Sequence, residues 1–310
     1  MKSIQYNSYG SPEVLEVNEN VSKPTLKSGQ ILVENNAASI NAFDWKLRSG
    51  YFQKMIPLTF PVTIGGDFAG KVIEVSGPDA GFAVGDEVYG QAIVLNGGSG
   101  AMAQLVAANS KNTALKPKSV SFNEAGALPL AGVSAVQGLE EHIKLQKGQK
   151  ILIHGGAGGI GHMAIQYAKS LGAYVATTVS TKDVEFVVTL GADKVIDYKI
   201  QKFEEILKNF DAVFDTVGGE TLDKSYGVVK KGGILVSMGQ VNEQFAKEHA
   251  ISAFGQMTVT DAEHLNRLTE LVEAGKIKVH IDKTFPLSQT KEAFVYQETG
   301  HPQGKVVITV

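Results

Sequence analysis

A chain of 310 residues with 43% hydrophobic and 20% charged residues has an ordinary globular composition and room for about two domains, which excludes disordered and low-complexity classes. A net charge of −3 sets up no field that would gather nucleic-acid phosphates or anionic lipid, so neither is an expected partner. The absence of cysteine excludes disulfides, thiolate nucleophiles, Cys-ligated zinc and iron–sulfur clusters.

Residues 1–10 alternate polar and apolar side chains and lack the roughly 7–15-residue apolar run of a secretory leader, so a cytoplasmic location is expected. Up to about residue 118, short β-like runs at 3–6, 30–37, 68–75, 86–89 and 104–107 are broken by Gly, Pro and Asn, the texture of a small β-rich domain. From residue 150, strands at 151–154, 174–179, 194–198, 211–217 and 234–238 alternate with helices at 160–171, 183–190, 203–207 and 221–229. Such alternation predicts a doubly wound parallel α/β sheet with right-handed crossovers. Residues 151–168 carry no formal charge, but five glycines, His154, His162 and Gln166 make them a poor membrane span. Beyond residue 255 the spacing predicts a helix at 261–274, a strand at 279–285, a helix at 289–299 and a strand at 305–310. By pattern alone this tail could extend the α/β sheet or return to the amino-terminal domain.

The strongest local signal follows the strand at 151–154. Gly156-x-Gly158-x-x-Gly161 leads from that strand into a helix. Gly156 would permit a tight turn, Gly158 a close approach of main chain to a diphosphate, and Gly161 close packing of helix on strand, with unpaired N–H groups at the helix start. A dinucleotide site is the reading. The alternative is a glycine-rich turn without a ligand. The next strand should end in an acid that binds the ribose hydroxyls of NAD; instead the chain reads Thr177-Thr178-Val179-Ser180-Thr181-Lys182. Hydroxyls and the Lys182 ammonium can hold a 2′-phosphate by charge-assisted hydrogen bonds, which favours NADPH. Lys182 could also be an ordinary solvated lysine at a helix start.

Several motifs then add up. Ala38-Ser39-Ile40-Asn41-Ala42-Phe43-Asp44, Ile64-Gly65-Gly66-Asp67-Phe68-Ala69-Gly70, Val84-Gly85-Asp86-Glu87-Val88, Leu128-Pro129-Leu130-Ala131-Gly132-Val133, Asp215-Thr216-Val217-Gly218-Gly219 and Gly304-Lys305-Val306-Val307, with the glycine loop, resemble the zinc-independent quinone oxidoreductases of the medium-chain dehydrogenase/reductase superfamily. The resemblance covers nearly the whole chain. It implies a GroES-like substrate domain of residues 1–117 and 260–310, with a Rossmann NADPH-binding domain of 118–259 inserted, and so gives the tail a home. It places Asn41 beside the nicotinamide and the acceptor, where its amide could donate a hydrogen bond. Asp44 and Tyr51, close by in sequence, could orient the acceptor or relay a solvent proton. It also implies cofactor contacts from Val133, from Ala157, Gly158, Gly159 and Ile160 at the diphosphate, from Ser180, Lys182 and Tyr198 around the 2′-phosphate, and from Val217 and Met238 along ribose and ring. Locally, Val217 and Met238 read as core residues, Tyr198 as a strand-end aromatic, Asn41 as a turn amide, Asp44 as a helix-start charge and Tyr51 as a packing ring.

Zinc-dependent members of the superfamily carry Gly-His-Glu where this chain has Gly65-Gly66-Asp67, and the seven histidines form no metal-ligand spacing. A metal-free enzyme is expected, with His154 and His162 as structural neighbours of the loop. The expected chemistry is hydride transfer from NADPH to a small electron-poor acceptor, a quinone or conjugated enone. An enoyl-thioester or alkenal double-bond reductase, or an NADPH-binding sensor without turnover, would share the same loop. Residues 96–102 depart from the family pattern at Met102 and are expected to form a rim able to widen the acceptor pocket. An apolar strand at 251–259 could pair across a twofold axis in a homodimer.

Overall fold

The computed structural model describes residues 1–77, 80–299 and 301–310. The chain folds into two compact units, one of Met1–Ala131, Thr260–Glu273 and Val279–Val310, the other of Gly132–Val259 and Ala274–Lys278.

The first unit contains β1 (Ser3–Tyr6), β2 (Glu16–Asn18), β3 (Gln30–Ser39), α1 (Ala42–Arg48), β4 (Val62–Thr63), β5 (Asp67–Val75), β6 (Glu87–Gln91), β7 (Leu105–Asn109), β8 (Thr113–Leu115) and α2 (Phe122–Ala127). Among the described residues, β2, β1 and β4 form one antiparallel sheet, while β3 pairs antiparallel with both β5 and β7, and β5 continues through β6 to β8. The faces of these sheets bury Ile4, Ile31, Val33, Phe68, Val88 and Val106 in one core. Ser121 and Glu124 close a capping box at the start of α2, and this helix lies so near β3 that a Cβ on Gly126 would be 3.1 Å from Ala37 Cβ. That packing keeps residues 118–131 with the first unit, later than the expected division at 117.

The second unit is the alternating one. After α3 (Pro129–Gln137), which starts in the first unit's last residues, come β9 (Lys150–His154), α4 (Gly161–Ser170), β10 (Tyr174–Val179), α5 (Val184–Thr189), β11 (Lys194–Asp197), α6 (Phe203–Ile206), β12 (Phe210–Asp215), α7 (Gly219–Ser225), β13 (Val229–Ser237), α8 (Glu243–Glu248) and β14 (Ser252–Gly255). The strands form a sheet in the order β11-β10-β9-β12-β13-β14, parallel at every pairing. Near-continuous apolar runs such as Ile151, Leu152 and Ile153 are fully buried, as a sheet covered on both faces requires.

α9 (Ala262–Glu273), β15 (Ile281–Pro286), α10 (Thr290–Thr299) and β16 (Lys305–Thr309) make up the tail. β16 pairs antiparallel with β3, Val307 opposite Ser39, so the tail returns to the first unit's sheet. Three expectations are corrected. The helix expected at 221–229 ends at Ser225, since the β-branched pair Val228-Val229 leads into β13. The apolar strand expected at 251–259 pairs only over Ser252–Gly255. Met102, expected on a pocket rim, is a core side chain with no exposed surface, and Ile4 N–H donates to its carbonyl at 2.9 Å. No helix among the described residues is long and apolar enough to cross a membrane.

Candidate functional site

Each unit carries a cluster of functional groups. In the second, the glycine loop follows β9, the strand with β10 on one side and β12 on the other. Where strand order turns in this way, the loops leaving the carboxyl ends diverge and open a crevice. Gly155 turns the chain with φ +69°, and Gly158 N–H donates to Gly155 O at 2.9 Å. A Cβ on Gly156 would lie 2.0 Å from Thr177 Oγ1, and one on Gly161 2.1 Å from Gly155 O. The left-handed turn therefore belongs to Gly155 rather than Gly156, whose role is to admit Thr177, while Gly161 lets α4 start against the strand end. A Cβ on Gly158 would meet only Gly155 O, at 3.3 Å, so the main chain there borders open space. Among the described residues, the N–H groups of Ala157, Gly159 and Ile160 donate no hydrogen bond within the chain. Three unspent main-chain donors flanking the open Cβ position of Gly158, at the start of a ten-residue helix, fit a diphosphate.

The two histidines of this region are held by the fold. His154 is fully buried, with Nδ1 2.9 Å from Thr178 Oγ1 and Nε2 2.9 Å from Ser225 Oγ. The Ser225 hydroxyl donates to Thr221 O, so it accepts from His154 Nε2–H, and Nδ1 accepts from Thr178. Burial pushes the imidazole down to about 4, against the pull of Asp215 and Glu204, which keeps it neutral. His162 Nδ1 lies 2.8 Å from Gly158 O and pins the loop to α4.

At the end of β10, Ser180 donates its hydroxyl proton to Asp183 Oδ2, a carboxylate turned inward and 6% exposed. Lys182 is exposed. Tyr198 is 48% exposed and its N–H donates to Val179 O at 3.1 Å, which brings the ends of β10 and β11 together. A second cation, Lys199, stands over the Tyr198 ring at 5.3 Å; sequence reasoning missed it, and its only signal was its place beside Tyr198. Asp215 shapes the next turn, accepting from the N–H groups of Val217 and Gly218, each at 3.1 Å, and from Ser237 Oγ. Val217, locally a core residue by sequence, is 59% exposed on that turn, and Met238 is half-buried at the end of β13. Val133 is fully buried on α3.

The first unit's cluster forms where β3 runs into α1. Asn41 and Asp44 are 8% and 4% exposed. The Asn41 N–H donates to Asp44 Oδ2 at 2.7 Å, an N-terminal box for α1. The Asn41 amide faces elsewhere. Its Nδ2 donates to Asp67 Oδ2 at 2.7 Å, and its Oδ1 accepts from Lys305 Nζ. Asp67, at the first position of β5, also accepts from Leu130 N–H at 3.2 Å. Burial, and next the charge of Asp67, push the Asp44 carboxyl from its ordinary 3.8 up to about 7, against the pull of the Asn41 N–H and Lys305. Burial likewise raises Asp67 and lowers Lys305, each opposed by the other's charge. A narrow recess lined by Tyr6, Asp44, Ile64, Gly65 and Ile93 reaches the cluster. Tyr51 is outside it: 72% exposed, packed edge-on against Phe52, with Lys46 over its ring. Asp67 and Lys305 were quoted in motifs, but nothing in their spacing joins residues so far apart in the chain. Among the described residues, no three His, Asp or Glu side chains form a group that could hold a metal ion.

Residues 27–118 match the alcohol dehydrogenase GroES-like domain and residues 190–308 the zinc-binding dehydrogenase family. The chain is 41% identical over 318 residues to 2-methylene-furan-3-one reductase of Solanum lycopersicum, covering 99% of this chain and 79% of that protein. It is 36% identical to the chloroplastic NADPH-dependent alkenal/one oxidoreductase of Arabidopsis thaliana, with the same coverage. The solved quinone oxidoreductase of Coxiella burnetii superposes with a TM-score of 0.93 at 35% identity, covering 100% of this chain and 99% of the other. The chain belongs to the quinone oxidoreductase family of the medium-chain dehydrogenase/reductase superfamily.

Proposed function

We propose that the protein is a metal-free, NADPH-dependent reductase of conjugated enones, 2-alkenals and quinones. The observation that carries this reading is the set of unspent N–H donors of Ala157, Gly159 and Ile160 at the turn of the sheet order. When bound, the coenzyme supplies a hydride from nicotinamide C4. Gly156, Gly158 and the three N–H groups seat the diphosphate. Lys182 and Tyr198, joined by Lys199, hold the 2′-phosphate, while Val217 and Met238 border the ribose and ring; Ser180, whose hydroxyl proton goes to Asp183, and Val133, with no exposed surface, lend the coenzyme no side-chain contact. One Asn41 Nδ2 hydrogen is taken by Asp67; the second donates to the acceptor oxygen as negative charge develops there. Asp44 holds a proton at its carboxyl near neutral pH and gives it up to complete the reduction, recovering it from water through the recess. Tyr51, exposed on the turn after α1, orients the acceptor from outside.

The enone and alkenal preference is supported by the names of the 41% and 36% identical relatives, and quinone reduction by the Coxiella burnetii protein's name. A homodimer is supported by edge strand β14, which leaves Phe254 43% exposed. The test is an acceptor panel with NADPH and NADH: 2-alkenals, cyclic enones, 1,4-benzoquinone, 9,10-phenanthrenequinone and crotonyl-CoA. Turnover of enones or quinones with NADPH is expected. Turnover confined to crotonyl-CoA would make it a thioester reductase, and NADPH binding with no turnover on any acceptor would overturn the enzymatic reading.

A further inference from the structure

The Asn41 amide has two ends that differ only in which atom carries hydrogen, and a half-turn about its last bond exchanges them. What faces each end decides which way it points. Lys305 Nζ donates at each of its contacts, and both Asp67 oxygens accept, from Leu130 N–H as well as from the amide. Lys305 Nζ donates to Asn41 Oδ1 and, at 3.0 Å, to Ile40 O, while Asn41 Nδ2 donates to Asp67 Oδ2. The ammonium is 2% exposed and Asp67 has no exposed surface, so neither partner is free to swing toward water. A lysine is rarely buried so completely, and here the fold delivers it. β16 runs beside the end of β3, with Ile40 N–H donating to Val306 O at 3.1 Å. Gly304 takes φ +73° just before Lys305, and a Cβ there would lie 2.2 Å from His280 O.

We propose that Lys305 is a positioning residue for the reduction: by holding Asn41 Oδ1, with Asp67 holding one N–H, it fixes the amide so that only N–H is left for the acceptor. Without the ammonium the amide can turn over and set its oxygen against the negative charge growing on the acceptor. This rests on the donor role proposed for Asn41. It assigns a task to a side chain of the last strand, 264 residues away in sequence.

The test is Lys305→Met, alone and combined with Asn41→Ala, assayed with NADPH and the best acceptor of the panel, with NADPH affinity followed by fluorescence. Because the amide acts on charge that develops only in the transition state, Lys305→Met should lower kcat about 10- to 100-fold while changing the acceptor KM and the NADPH Kd less than about threefold. In the Asn41→Ala background the same substitution should cost less than about twofold, since Lys305 acts through the amide. If Lys305→Met does not fold, Lys305→Gln, which keeps a polar end in the slot but can either donate or accept, carries the same comparison. An unchanged kcat in the single variant, or an undiminished further loss in the Asn41→Ala background, would overturn the proposal. If Asn41→Ala alone left kcat unchanged, the donor role of Asn41 would fail first and take this proposal with it.

Discussion

The loop after β9 and the cluster around Asn41 reach function by opposite routes. The loop removes side chains: Gly156 and Gly161 each sit where a Cβ would lie about 2 Å from another atom, and what remains is main-chain N–H without a partner in the chain. The cluster concentrates side chains instead, burying two carboxyls and an ammonium from β16, β5 and α1. A main-chain site needs a short stretch of chain and tolerates little change of residue. A buried charge cluster needs the whole sheet to close before Asp67 and Lys305 have their partners.

The difference can be broken first at the loop. Gly161→Val places a side chain against Gly155 O and should cost roughly 3 kcal/mol or more, abolishing NADPH binding in fluorescence titrations and lowering the thermal midpoint; near-normal binding would show that the close approach is unnecessary. In the cluster, Asn41→Ala should lower kcat on the order of 100-fold with the NADPH Kd unchanged. A rise in Kd instead would move Asn41 to coenzyme binding.

Asp44 sharpens the comparison through pH. Between the ordinary 3.8 and about 7 the folded protein holds a proton at Asp44 that the unfolded chain has released. Stability therefore falls as pH rises through that window; below 3.8 both states are protonated and this dependence disappears. Asp44→Asn should flatten the stability profile by on the order of 4 kcal/mol across pH 4–7, measured by urea unfolding; a profile as steep as the wild type's would show that Asp44 does not carry the proton. The smallest effect is expected at the exposed Lys182. Lys182→Glu should raise the KM for NADPH roughly tenfold more than that for NADH, and equal changes would remove Lys182 from the 2′-phosphate.

Legibility in the sequence follows the same division. β1 and β10 lie where alternation predicts them, and the glycine loop is read from seven consecutive residues, because turns and strand runs are local. Even so, the reading assigns the tight turn to Gly156, while the positive φ is at Gly155; spacing does not tell a conformational need from a packing need. α2 was missed since it is only six residues long, too short for periodicity to register, and α1, seven residues long, was read only as a helix start at Asp44. Lys305 was visible only as part of a motif. Its role depends on β16 returning to β3, a long-range pairing that the pattern of the tail leaves open.

The central claim, that the loop seats a dinucleotide, is tested most directly by calorimetric titration of the protein with NADPH and with NADH. One site per chain with a Kd on the order of 1–100 μM for NADPH, and weaker NADH binding, is the expected result. No heat of association with either nucleotide at millimolar concentration, from protein shown to be folded, would contradict it.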